Sequence, residues 1–153
     1  MNFQRRSFIR LGASALGLAT AGALWPLRAI AAAAGLESAF KAKSVEDVFK
    51  DIGGTPTEST DIQLMTPDIA ENGAVVPVSV TSKIPNTEQI MILVEKNPNP
   101  MAASFTVPED TEGFVSTRVK IGQTCNVYAV VRADGKLYSA HRETKVTLGG
   151  CGG

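Results

Sequence analysis

The chain has 153 residues, with 15 lysines and arginines matched by 15 aspartates and glutamates. That length allows one domain and leaves little room for two. A zero net charge argues against a dedicated nucleic-acid binder, which would carry a basic surplus. Two cysteines and a single histidine, His141, exclude a disulfide-dense scaffold, a four-cysteine zinc site and a His-rich metal centre, and argue against a Ser-His-Asp triad.

Residues 1–34 read as an export signal and not as part of the fold. Arg5 and Arg6 open it, in Gln4-Arg5-Arg6-Ser7-Phe8-Ile9-Arg10. An apolar run from Leu11 to Leu24 follows, then Arg28 and the small residues Ala29 to Ala34. A basic start, a short apolar middle and an Ala-x-Ala end describe a secretory signal, with cleavage expected after Ala31, Ala33 or Ala34. A membrane anchor would need about 20 strongly apolar residues, and this run is shorter and diluted by Gly12, Gly17, Thr20 and Gly22. The spacing Arg-Arg, one residue, Phe, aliphatic, base resembles the twin-arginine signal, which exports folded proteins to the periplasm. Removing the segment takes away four arginines and no acids. It leaves 11 bases against 15 acids, a net charge of about −4. About 119 residues remain, enough for one small sandwich or barrel and no membrane span.

One helix is expected at the start of the mature chain. Ser44 with Asp47 three residues on has the pattern of a capping box, Val45, Val48, Phe49 and Ile52 share a face, and Gly53-Gly54 ends it. This helix serves packing. Strands then follow at near-regular spacing. Ile62–Met65 alternates. Ala74–Ser82 is Val-rich, and its Pro77 predicts an edge strand or a bulge, since proline cannot donate a ladder hydrogen bond. Gln89–Glu95 is apolar enough for a central buried strand, and Asn97-Pro98-Asn99-Pro100 forms a rigid turn. Ala102–Val107 and Phe114–Ile121 come next. Cys125–Arg132 alternates, and Asp134-Gly135 turns it tightly into Leu137–Thr147. About seven short strands predict an all-β chain, an antiparallel sandwich of immunoglobulin-like type, without the Cys…Trp…Cys pattern of antibody domains. The domain spans residues 35–148. Surplus apolar residues, in the Ile90–Val94 region or near Pro77, are candidates for contact with a partner.

The tail is the most informative segment. The last five residues are Gly149-Gly150-Cys151-Gly152-Gly153, with four of the chain's fourteen glycines and one of its two cysteines. Glycine has no β-carbon, so this stretch is thin and has neither helix nor strand preference. Extended, it reaches about 17 Å at most. A nucleophilic cysteine in its own pocket needs a lowered pKa from a base, a helix N-terminus or a metal. Cys151 has no charged side chain nearer in sequence than Lys145, and the terminal carboxylate disfavours the thiolate. The residues therefore describe a thiol on a slim arm that enters another protein's channel and is activated there. Cys125 shares a strand face with Val127, Ala129 and Val131, which favours a small buried hydrophobe. A Cys125–Cys151 disulfide, pinning the arm as a redox lock, is the competing reading. His141 reads as a solvated surface residue.

The terminal pentapeptide resembles the swinging arm of the SoxY family, the sulfur-substrate carrier subunits of bacterial thiosulfate oxidation. Ala70-Glu71-Asn72-Gly73 with Val76-Pro77-Val78, the segment Val94-Glu95-Lys96-Asn97-Pro98-Asn99-Pro100, and Arg132-Ala133-Asp134-Gly135-Lys136-Leu137-Tyr138 resemble that family in the same order, as does the signal. The resemblance implies a heterodimer with SoxZ, a second small sandwich protein without a signal of its own. It implies that thiosulfate is conjugated oxidatively to Cys151 by a c-type haem enzyme. A dimanganese hydrolase would then release sulfate, and a molybdenum–haem dehydrogenase would oxidise the remaining sulfane sulfur. The metals belong to those partners, and no cofactor is expected on this chain beyond the adduct on Cys151. Many members of the family have only the tail cysteine, so Cys125 is a departure that leaves an extra redox option open. Two other classes stand beside the carrier: an exported structural sandwich with an inert tail, and an independent enzyme. The sequence shows no acid/base pair beside a nucleophile, no phosphate loop and no metal-ligand spacing for the latter.

Overall fold

The computed structural model describes residues 35–147. The signal with Arg5 and Arg6, and the arm with Gly149, Gly150, Cys151, Gly152 and Gly153, lie outside the described residues.

Two short helices open the described chain, α1 over 35–41 and α2 over Val45–Ile52. The local sequence specifies α2 at both ends. Ser44 is extended, and its Oγ accepts the Asp47 backbone N–H at 3.1 Å, supplying one of the acceptors a helix start lacks. Asp47 and Lys50 pair across one turn at 3.1 Å. Gly53, at φ 118°, takes the left-handed conformation that closes the helix, where a side chain would be strained. Val45, Val48 and Ile52 are buried, as their spacing predicts.

Nine strands follow: β1 (Thr57–Glu58), β2 (Ile62–Met65), β3 (Ile69–Ala70), β4 (Val76–Ser82), β5 (Thr87–Val94), β6 (Met101–Thr106), β7 (Phe114–Val119), β8 (Cys125–Ala133) and β9 (Lys136–Val146). One sheet has the order β1-β9-β8-β5-β6, with β3 also on β9, and the other has the order β2-β4-β7. The mostly-strand class is as the sequence predicts. Seven of the strands match the expected segments and pair antiparallel. The other two depart from an all-antiparallel arrangement. β1 and β3 are two residues each and run parallel to β9. Segments that short carry no periodicity, and hydrogen bonds to the edge of β9 define them instead, such as Ser59 N–H to the Ser139 carbonyl at 2.9 Å.

Both sheets contribute to one core. Val76, Val78 and Val80 of β4 meet Ile90, Ile92 and Val94 of β5 and Cys125, Val127, Ala129 and Val131 of β8. A second cluster lies on the far side of the larger sheet, where Met91, Leu93, Met101 and Val130 pack under Ala39, Ala42, Val45, Val48 and Ile52. Strand β5 is thus buried on both faces, which explains its unbroken apolar run. It also removes Ile90–Val94 from the candidate partner contacts, because all five residues are 0% exposed. Side chains secure the helices: Asn99 Nδ2 donates to the Ala42 carbonyl at 3.2 Å, and Arg132 Nη2 to the Ile52 carbonyl at 2.7 Å.

Pro77 corrects the sequence reading. Its strand is the middle of the three-stranded sheet, neither an edge nor bulged there. Strand β2 stops pairing at Ser79, so Pro77 lies past the end of its neighbour and faces only β7, opposite Arg118. A missing N–H is harmless where no carbonyl waits for it. The β8–β9 hairpin forms as predicted, with Asp134 and Gly135 at φ 49° and 70° between paired Ala133 and Lys136.

Candidate functional site

Strand β9 delivers the chain to the start of the tail, and each of its last residues is tied to a different neighbour. Thr144 is fully buried, and its Oγ1 lies 2.8 Å from Thr66 Oγ1. Lys145 N–H donates to the Asp68 carbonyl at 2.9 Å. Val146 N–H donates to Thr124 Oγ1 at 3.0 Å, on the opposite side. Thr147 N–H donates to the Ala70 carbonyl at 3.2 Å. The backbone is therefore clamped from both sides up to the last described residue. The exposed Arg142–Asp68 pair, at 2.6 Å, adds little to this.

The loops that supply these partners are bonded to one another. Gly73 accepts from Ile121 N–H at 2.7 Å. Asn97 holds the loop before β8 twice, donating to the Lys120 carbonyl at 2.7 Å and accepting from Gly122 N–H at 3.2 Å. Glu95 Oε2 accepts the Asn126 N–H at 3.2 Å. Two of the sequence segments singled out above, 70–73 and 94–100, thus meet at the root of the tail and brace it. The third, 132–138, forms the hairpin at the other end of β9. The clamp residues Thr66, Thr124 and Thr144 carried no signal in the sequence. Isolated threonines in strands are common, and only the pairing brings these together.

Cys125 begins β8 directly after Thr124 and pairs with Thr144. It is a free thiol, 4% exposed, in the shared core. Burial pushes its pKa up, against the opposing pull of the Lys96 backbone. That is the chemistry of a packing residue and the reverse of an activated nucleophile. His141 is exposed, with Nδ1 3.2 Å from Glu58 Oε1 and its ring 5.4 Å from that of Tyr128. Among the described residues no group of three His, Cys, Asp or Glu side chains could hold a metal ion, and no helix is long and apolar enough to cross a membrane. Two open clefts, of about 540 and 600 Å³, flank the β8–β9 hairpin at the far end of β9 from the tail.

The molecule is thus a β protein of two packed sheets that fixes, through its last strand, the origin of a glycine-rich cysteine tail. A family model described as sulfur oxidation protein SoxY matches residues 46–151, a range that runs through Cys151. The chain is also similar to the structure of the sulfur carrier protein SoxY from Chlorobium limicola f thiosulfatophilum. The two share 43% identity over 76% of this chain and 99% of that one, with a TM-score of 0.60. The chain belongs to the SoxY family. The human F-spondin reeler domain matches at 14% identity over 59% of this chain and 95% of its own, and its TM-score of 0.36 carries no argument. No curated protein sequence matches.

Proposed function

We propose that this chain is a covalent carrier of sulfur intermediates in thiosulfate oxidation, with Cys151 as the attachment site and Gly149, Gly150, Gly152 and Gly153 as its flexible sleeve. It carries its cargo as a substrate-bearing protein and not as an enzyme. The observation that supports this most is the clamp. Residues 144–147 are bonded on both sides immediately before a stretch whose composition resists order. A fixed root and a slim tail give a thiol that leaves the domain while its origin stays put.

The loading step joins the thiol sulfur to the outer sulfur of thiosulfate. The Cys151 S–H bond breaks, one proton is released, and two electrons pass to the haem of a c-type conjugating enzyme. The product is a thiosulfonate on Cys151. Water then attacks the terminal sulfonate at a dimanganese hydrolase. This releases sulfate and protons and leaves a persulfide on the cysteine, which a molybdenum–haem dehydrogenase oxidises further. The chain itself supplies the thiol and its presentation. A SoxZ-like subunit completes the carrier as a heterodimer, and the twin-arginine signal with Arg5 and Arg6 directs the folded pair to the periplasm. The matching fold class is an immunoglobulin-like sandwich with a glycine-rich arm, supported by the two packed sheets.

The test is intact mass of the purified heterodimer after exposure to thiosulfate and the conjugating enzyme. The expected result is an adduct on the unaltered chain, removed by reductant, and none on Cys151→Ser. An adduct on Cys151→Ser would show that the attachment site is elsewhere. Unchanged thiosulfate oxidation after truncation at Leu148 would return the tail to an inert role.

A further inference from the structure

Five large apolar side chains stand exposed among the described residues, and three of them are at the tail's end of the molecule: Met65 at 67%, Ile69 at 59% and Val75 at 53%. Topology gathers them there. Met65 is the last residue of β2, and the next residue, Thr66, bonds Thr144. Ile69 pairs with Lys145, two residues before the last described position. Val75 immediately precedes β4 and follows the Gly73 carbonyl that holds Ile121. Phe114 pairs with Thr81, at the opposite end of β4.

Arm length gives this patch a meaning. Cys151 is four residues beyond Thr147. Fully extended, it stands roughly 14 Å from the clamp at most. Any catalyst whose reacting atoms meet that sulfur must therefore close its mouth against this end of the domain. Apolar side chains left in water at such a place are a recognition surface. We infer that Met65, Ile69 and Val75 form the seat on which enzymes acting on the Cys151 adduct dock, and that those enzymes present an apolar rim around a narrow opening. This rests on the carrier reading above. Nearby Arg142 is paired with Asp68, so the seat's attraction comes from apolar burial and gives brief, reversible visits.

The experiment uses the full heterodimer, thiosulfate and the purified conjugating enzyme, with adduct formation followed by intact mass. Met65→Ser, Ile69→Ser and Val75→Ser are combined, with the single variants measured alongside in case the triple is unstable. All three sites are more than half exposed. The seat predicts that kcat/KM for loading falls at least about tenfold, from the loss of three partly buried apolar contacts. Reaction of Cys151 with a small thiol reagent stays unchanged, and Phe114→Ser loads normally. Unchanged enzymatic loading of folded variants would overturn the inference. So would loss of the heterodimer, or altered self-association of the isolated chain, since the patch would then belong to the other subunit or to a second copy. Absence of any adduct on the unaltered protein would instead sink the carrier reading itself.

Discussion

The two sheets treat their outer faces in opposite ways. The larger one turns Met91, Leu93 and Val130 away from the shared core and covers them with α1 and α2, so that all three are fully buried. The smaller one turns out Gln63, Pro77, Ser79, Thr81, Ser116 and Arg118 and leaves that face bare, with a hydroxyl–hydroxyl bond of 3.1 Å between Ser79 and Ser116. Their inner faces are alike, both aliphatic. The difference is set strand by strand. Continuous apolar residues in β5 demand a layer on each side, while strict alternation in β4 demands only one. The domain therefore spends its helices on the sheet that holds β8 and β9. In consequence the strand that carries the tail belongs to the more deeply packed half.

The largest test of that contrast is Leu93→Ala. It removes a fully buried side chain from beneath the helices, and a loss of about 2–5 kcal/mol in unfolding free energy is expected by urea denaturation. A loss under about 0.5 kcal/mol would mean that the helices are loosely seated and that the covered face is covered in name only.

A second test probes the seam between the layers. Burial raises the Cys125 pKa in the folded state. A thiol raised on folding contributes stability that is complete below its unfolded pKa of about 8.5 and is lost as pH rises through the folded value. In a Cys151→Ser background, unfolding free energy should hold level up to about pH 8 and decline above it, and Cys125→Ala should flatten that decline. The Tyr128 hydroxyl is raised by burial too, but its effect enters only as pH approaches the tyrosine range near about 10. An identical decline in Cys125→Ala would mean that the thiol ionises freely and that the seam admits water.

Legibility followed the range of the interactions involved. Helix α2 was readable because its signals are local: the Ser44 cap, the apolar face, the Gly53 stop. The hairpin at Asp134-Gly135 and the doubly buried β5 were readable for the same reason. Cys125 was readable as a core residue from the alternation of Val127, Ala129 and Val131. Pro77 was misread because its tolerance depends on where β2 ends, which nothing in β4 records. The clamp was invisible because it joins residues far apart; Thr66 and Thr144 are 78 positions from one another. The short strands β1 and β3 exist only by virtue of the edge of β9. The segments 70–73 and 94–100 drew notice as family-like patterns, and only the fold shows that both brace the same root.

The smallest expected effect comes from the bare face. Ser116→Ala deletes one hydroxyl of the Ser79–Ser116 pair at an exposed position. Water replaces the lost partner, and the change in strand preference is slight, so unfolding free energy of the isolated chain should move by less than about 0.5 kcal/mol. The same substitution at a covered face would strand the Ser79 hydroxyl and cost about 1–3 kcal/mol. Thermal denaturation of the isolated chain, beside the heterodimer, reads the difference directly. A large effect in the isolated chain would show that the smaller sheet is shielded as the larger one is, and the contrast between the two faces would be lost. A large effect confined to the heterodimer would instead mark this face as the one the second subunit covers.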